Sequence, residues 1–164
     1  MLFRSTTTKE LIARGATWHY YDQGSLDGTD WKSANYGDSS WKTGRAPLGY
    51  FVTDASNSRG YNTFLDYGGN NNSKYPTSYF RTTIDLDATP SANDAFTLDF
   101  TCDDGFVIYV NGTEAGRYLM PSGTPAFSTF ASTYAPGNPD SGTLTLRPSL
   151  FSPALPLASR SVLS

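Results

Sequence analysis

Residues 95–118 constrain the fold more than any other stretch, because they contain short strands joined by tight turns. The turn Asp103-Asp104-Gly105 leads into Phe106–Val110, a continuous apolar run typical of a central strand. The next two residues, Asn111-Gly112, suit a type I′ hairpin turn, because both central residues of that turn need a positive φ. The return strand is predicted over Thr113–Tyr118.

Further strands are predicted on both sides of this unit by the alternation of apolar and polar residues. Tyr79–Leu86 has the period-two pattern of a strand with one buried and one solvated face. The same pattern predicts that alternate residues of Ala95–Phe100 face inward. Residues 10–22 are predicted to form an opening strand pair, and Thr143–Leu146 one more short strand.

The composition favours an all-β domain. Aromatic residues make up 15% of the chain and charged residues only 16%, against roughly 25% charged residues in typical soluble domains. The 15 Gly and 10 Pro supply turns between short strands. A chain of 164 residues fits one domain. We place that domain at 9–151, between an N-terminal tail (1–8) and an irregular C-terminal tail (152–164).

Several functional classes are disfavoured by the charge and apolar patterns. The net charge is −3 and Lys and Arg form no cluster, which argues against a nucleic-acid partner. No apolar run approaches the roughly 20 residues of a membrane-spanning helix. The first residues contain no apolar segment typical of a signal peptide. The single Cys102 forms no intramolecular disulfide and is interpreted as a small buried apolar residue.

Catalytic motifs are scarce, and we predict that the chain is not an enzyme. His19 is the only histidine, whereas zinc sites and nucleophilic triads need more than an isolated one. No phosphate-binding loop or nucleophile-elbow motif occurs. A glycosidase using two of the 15 acidic residues is the alternative.

An ordered set of segments resembles a known family. The segments are Leu11–Asp22, Asp27–Trp31, Asp38–Tyr50, Tyr79–Arg81, Asp103–Arg117 and Met120-Pro121. Their order resembles the galactose-binding-like β-sandwich modules of exported bacterial proteins, in the version found beside calcineurin-like metallophosphatase, spore-coat-type and lamin-tail-type domains. It is also similar to the sugar-binding domains that precede glycosidase barrels. The resemblance implies an antiparallel jelly-roll sandwich in an extracellular or cell-surface protein.

The C-terminal part departs from the family pattern. Pro153 and Pro156 stand where the family has its closing strand, and proline is excluded from central strands. We therefore expect a sandwich that lacks its last strand, in a chain truncated or altered near residue 152. An uncovered edge would pair with another copy, giving a homo-oligomer.

Candidate binding residues are aromatic. Trp31 lies in a polar stretch and is predicted to be exposed, so that its ring could stack on a sugar. Residues 50–75 are unusually aromatic for a loop, and Tyr61, Phe64 and Tyr67 are the residues we select there. Two interpretations stay open: the loop buries its rings as a satellite cluster over the sandwich, or it forms a binding face.

Asp103 and Asp104 are the candidate metal ligands. One interpretation is structural, because Asp side chains stabilise turns by bonding to nearby backbone N–H groups. The other is a structural Ca²⁺ site, because calcium takes carboxylate and carbonyl oxygens. An alternative calcium loop would use the aspartates of the N-terminal region, Asp22, Asp27, Asp30 and Asp38. No cofactor is required.

The function predicted from these features is a non-catalytic accessory module that binds carbohydrate, in a secreted or surface protein. One alternative is a structural protein that assembles through an open sheet edge. The other is a non-catalytic fragment of a larger hydrolase.

Overall fold

Strands and irregular segments make up almost the whole of the described chain. The computed structural model describes residues 8–50, 57, 59–137, 139–151 and the backbone of 156–162. The strands are β1 (Thr17–Tyr21), β2 (Lys42–Arg45), β3 (Leu48–Gly49), β4 (Thr63–Phe64), β5 (Thr77–Thr83), β6 (Phe96–Cys102), β7 (Gly105–Val110), β8 (Thr113–Tyr118), β9 (Asp140–Leu146) and β10 (Pro156–Val162). A 3-10 turn, Pro148–Leu150, precedes β10. The all-β prediction is confirmed.

The main layer is a six-stranded sheet in the order β2-β1-β5-β10-β7-β8. Every neighbouring pair in it is antiparallel. A second antiparallel pair, β6-β9, lies over one face, and a short parallel pair, β3-β4, completes the sheets. Within the described chain, no helix has the length and apolar character needed to cross a bilayer.

Two apolar cores lie on opposite faces of β7. Val107 and Tyr109 point into a core shared with the irregular segments before β2 and after β8, whose other members are Leu26, Trp31, Trp41, Tyr79 and Met120. Phe106, Ile108 and Val110 point into the second core, between the main sheet and β6-β9, with Ile84, Leu146 and Phe151. The prediction of a central strand at Phe106–Val110 is confirmed.

The turn between β7 and β8 has the predicted geometry. Asn111 and Gly112 adopt φ values of 53° and 82°, the left-handed conformation that a type I′ turn requires at both positions. The Asn111 side chain also donates from Nδ2 to the carbonyl of Leu150, at 2.8 Å. The hairpin is thereby tied to the 3-10 turn.

Two strand predictions are wrong in detail. Residues 10–22 contain one strand, β1, rather than a pair, and the partner of β1 is the distant β2. Strand β5 is buried on both faces rather than one, because irregular segments cover the side that carries Tyr79 and Arg81.

The prediction of an irregular tail over 152–164 is wrong for residues 156–162. These residues form β10, which pairs with β5 on one side and β7 on the other. Pro156 is the first residue of the strand, a position where proline is tolerated. Pro153 and the outermost tail residues, including residues 1–7 of the predicted tail 1–8, lie outside the described residues.

The expected open edge is therefore occupied. The outer strands of the six-stranded sheet are β2 and β8, which carry Lys42 and Arg45 in one case and Glu114 and Arg117 in the other. Charged residues on edge strands oppose strand addition by another chain. The observation that motivated the assembly alternative is thus removed.

Candidate functional site

Three tyrosines from the aromatic segment come together beside the Asp103-Asp104 turn. The rings of Tyr50 and Tyr67 lie 5.3 Å apart between centroids. Lys74 places Nζ 5.5 Å from the centre of the Tyr50 ring, within the range of a cation–π contact. Tyr61 is linked to the turn through Arg59, which hydrogen-bonds to Tyr61 and pairs with Asp103. All three rings are half-buried.

Tyr61 is fixed in place from two sides. Asn57 accepts from the Tyr61 backbone N–H at Oδ1 and donates from Nδ2 to the Tyr61 carbonyl, both at 2.9 Å. The ring lies so close to Gly49 of β3 that a Cβ on that glycine would stand 2.3 Å from it. Glycine at position 49 is therefore what allows the ring to approach the backbone of β3.

Asp22 anchors the loop that carries Tyr67. It is buried at the end of β1, accepts from Lys42 Nζ at 2.9 Å and accepts from the backbone N–H of Asp66 at 2.7 Å. The hydrogen bond with Asp22 raises the pKa of Lys42. The Tyr75 N–H donates to the Tyr67 carbonyl at 3.0 Å and closes the loop.

The Asp103-Asp104 turn connects β6 to β7 and faces two other segments. Arg59 forms an ion pair with the Asp103 carboxylate and hydrogen-bonds to the side chain of Tyr61. Asp104 is buried and accepts from the N–H of Ala135 at 2.9 Å. Of the two carboxylates, only Asp103 is partly open to solvent.

The hydroxyl of Tyr50 stays protonated at neutral pH. Burial raises the pKa of Tyr50 to about 12, and the negative charges of Asp103 and Asp104 act in the same direction. The hydroxyl is thus available as a hydrogen-bond donor. We call Tyr50, Tyr61, Tyr67, Arg59 and Asp103 the Tyr–Asp cluster.

Ionisation of the Cys102 thiol, next to the turn, is suppressed. It is half-buried against the second core and donates from Sγ to the Asp104 carbonyl at 3.4 Å. Burial, followed by the charges of Asp140, Asp103 and Asp104, raises the pKa of the Cys102 thiol from 9.0 to about 12.

We expect Cys102 to react slowly in the folded protein. A pKa near 12 leaves about a thousandfold less thiolate at pH 8 than a pKa of 9.0, and the thiolate is the reactive form. Ellman's reagent should therefore modify the native chain at least ~100-fold more slowly than the urea-unfolded chain. Since Cys102 is the only cysteine, the signal has one source. Equal rates would show that the thiol is accessible and ionisable.

The structure joins four of the predicted site residues and separates two. Tyr61 and Tyr67 lie in the Tyr–Asp cluster with Asp103, and Asp104 lies beneath it. Phe64 is 58% exposed on β4, and its ring faces solvent. Phe51, which contributed to the aromatic pattern, lies outside the described residues.

The prediction that Trp31 is exposed is wrong. Its side chain is only 6% exposed, and its ring packs edge-on against Tyr79 and Tyr109, with centroids 5.0 and 5.6 Å apart. The Trp31 carbonyl accepts from Arg81. The polar neighbours of Trp31 lie in turns, and the large apolar ring gains more from burial in the core than from contact with water.

The calcium site stays a prediction. Within the described residues, no group of three or more His, Cys, Asp or Glu side chains is placed to hold a metal ion. The Asp103 carboxylate already has the Arg59 guanidinium as its partner. In the alternative loop, Asp22 pairs with Lys42, Asp27 accepts from the Phe127 N–H, and Asp38 pairs with Arg81.

Sequence reasoning missed the roles of Arg59 and Lys74 and did not select Tyr50. Arg59 contacts Asp103 across 44 residues, and no local pattern records such a pairing. Tyr50 was visible only as one of several rings in an aromatic stretch.

Comparisons with known proteins return no match: no family model, no curated protein and no solved structure resembles this chain significantly.

Proposed function

We propose that the chain is a non-catalytic carbohydrate-binding module of an exported protein, with a jelly-roll topology, and that sugars bind at the Tyr–Asp cluster. One observation carries this proposal. Half-buried tyrosine rings lie next to a partly exposed ion pair, Arg59–Asp103, on a well-anchored surface. The resemblance to galactose-binding-like modules supports the same conclusion.

The chemistry of the cluster suits a neutral sugar. A tyrosine ring offers an apolar face with a polar tip, and the apolar C–H face of a sugar ring can stack on it. Sugar hydroxyls both donate and accept hydrogen bonds. Asp103 would accept from them, while Arg59 and the protonated Tyr50 hydroxyl would donate. The charged groups strengthen these bonds relative to neutral ones.

A binding role fits the two aspartates better than hydrolysis does. Glycosidases place two carboxyl groups on either side of the scissile bond, roughly 5–9.5 Å apart. Asp103 and Asp104 are consecutive residues, and the Asp104 carboxylate is turned towards Ala135. Of these two carboxylates, only that of Asp103 would therefore face a sugar at the cluster, which favours recognition.

Alanine substitutions of the cluster tyrosines test the proposal. We expect Tyr61→Ala and Tyr67→Ala to weaken binding to a retained glycan by roughly tenfold each, because each removes one stacking ring. A glycan array and a pull-down with insoluble polysaccharides would identify the glycan, and titration calorimetry would give the affinities. The measurements are made with calcium and with a chelator, so that a metal requirement is detected.

Phe64→Ala is the matched control. Phe64 is an exposed aromatic residue opposite Gly49 in the β3-β4 register, and within the described residues its ring contacts no ring of the cluster. Its removal should leave affinity within about twofold. Asp103→Asn should weaken binding in the same assay. The unfolding midpoint of this variant is measured alongside, to separate lost binding from lost stability. The proposal is wrong if the cluster variants bind as well as the unmodified chain, or if no glycan binds a folded chain.

A further inference from the structure

The segment between β8 and β9 exposes two aromatic rings from a backbone that is held firmly. Four hydrogen bonds anchor it. At Phe127, the N–H donates to Asp27 at 2.9 Å and the carbonyl accepts from Thr77 Oγ1 at 2.6 Å. Further along, the Ser132 N–H donates to the Leu119 carbonyl at 2.7 Å, and the Ala135 N–H donates to Asp104 Oδ1 at 2.9 Å. Between these anchors, Phe130 is 59% exposed and Tyr134 is 80% exposed.

Tyr134 is the most exposed of the large apolar side chains in the described part of the chain. The anchors at Ser132 and Ala135 stand on either side of it, so the backbone cannot readily carry the ring into a core. Exposing a ring that could be buried forgoes favourable apolar burial. Aromatic residues displayed on an anchored loop are a common feature of binding surfaces.

The segment that carries Tyr134 and the Tyr–Asp cluster are both held by the dipeptide Asp103-Asp104. Arg59, which contacts Tyr61, pairs with Asp103. The next residue, Asp104, holds Ala135, the residue after Tyr134. Two aromatic segments that are far apart in sequence are thereby fixed to consecutive residues of one turn.

We propose that Tyr134 is a second sugar-stacking residue of this site, and that the ligand is a glycan chain of two or more rings that extends from the Tyr–Asp cluster past Asp103 to Tyr134. This inference rests on the proposed function and specifies its ligand as an oligosaccharide segment. A protein partner fits less well, because acidic residues are depleted at the centres of protein interfaces. Here the Asp103 carboxylate belongs to the turn that holds both aromatic segments.

The dependence of affinity on chain length tests the inference. The probes are fragments of one to six sugars, prepared by hydrolysis of the polysaccharide that the pull-down retains. For the unmodified chain we expect affinity to rise from one sugar to about three, as each added ring finds a further contact. For Tyr134→Ala, affinity for the longest fragment should fall about tenfold, while that for the single sugar changes by less than about twofold.

Tyr134→Phe provides the matched variant. It keeps the ring and should retain most of the gain with chain length, which an effect of the substitution on folding would not explain. Because Tyr134 is exposed, the unfolding midpoints of both variants should equal that of the unmodified chain. If Tyr134→Ala shows the same length dependence as the unmodified chain, this inference is overturned while the proposed function stands. If the unmodified chain binds no glycan, the proposed function itself fails.

Discussion

Replacing Arg81 with methionine should lower the free energy of unfolding by about 3–5 kcal/mol. Arg81 lies in β5 and is only 2% exposed. It donates from Nε to Asp38 at 2.9 Å and from one terminal nitrogen to the carbonyls of Trp31 and Ser33. The guanidinium also lies over the ring of Tyr36, with Cζ 5.5 Å from its centre. One side chain thus fixes the irregular segment 31–38 to the sheet.

The large effect follows from what the substitution leaves behind. Methionine preserves most of the volume, but the carbonyls of Trp31 and Ser33 lose a donor, and the partly exposed Asp38 loses its buried partner. Domains are stable by only about 5–15 kcal/mol, so this loss is a large share of the total. For a domain of this size, each kcal/mol moves the thermal midpoint by roughly 2–4 °C. The expected fall is therefore on the order of 10 °C.

Two further variants separate the role of Arg81 from that of charge alone. Arg81→Lys keeps the positive charge but cannot reproduce the planar fork, and should give an intermediate loss. Arg147→Met removes an exposed arginine that makes no capping bond with its side chain and should change stability by less than about 0.5 kcal/mol. Urea unfolding measures all three. A loss below about 1 kcal/mol for Arg81→Met would show that the segment is held by apolar packing instead.

The parts of the fold that are encoded locally could be predicted from the sequence. Asn111-Gly112 determines its turn because few other residue pairs tolerate positive φ at both positions. The alternation in β6 orients its residues as predicted, with Phe96, Leu98 and Phe100 less exposed than the residues between them. In both cases the physical cause lies within a few residues of the effect.

The burial of both faces of β5 could not be predicted from local sequence patterns. Its alternation of residue types predicts one solvated face, yet Tyr79 and Arg81 are buried there. The cover is an irregular segment that contains Trp31, and no periodic pattern identifies such a segment as a layer. Arg81 is accommodated because its partners come from the same segment. Sequence patterns assigned neither Trp31 nor Tyr79 to this core, although both are buried in it.

The Tyr–Asp cluster was predictable to a similar extent. Tyr61, Tyr67 and Asp103 were selected by residue type and by their place in loops and turns. The pairing that unites them, Arg59 with Asp103, joins residues separated by more than forty positions. Long-range contacts of this kind depend on the completed sheets.

Removing residues 152–164 should abolish cooperative folding, since β10 occupies the middle of the six-stranded sheet. Seven of its residues are in register with β5 and six with β7. Without the strand, β5 and β7 lose their backbone partners, and unpaired N–H and C=O groups in a buried sheet are costly. We expect the shortened chain to lack a cooperative urea transition and to self-associate through the exposed edges.

Circular dichroism and size-exclusion chromatography with light scattering would measure both effects. A chain that lacks only Leu163 and Ser164, which follow the strand, is the control and should behave as the full chain. A shortened chain that is monomeric and retains the full chain's unfolding midpoint would show that β10 contributes little.

Complementation tests whether the defect lies in the strand itself. A synthetic peptide with the sequence of residues 152–164 should bind the shortened chain in a 1:1 complex, because the gap between β5 and β7 offers backbone partners on both sides. Binding should restore the cooperative transition and suppress self-association, whereas a scrambled peptide should not. A sheet that reassembles only with the native peptide would establish that register, rather than edge pairing in general, determines the place of the last strand.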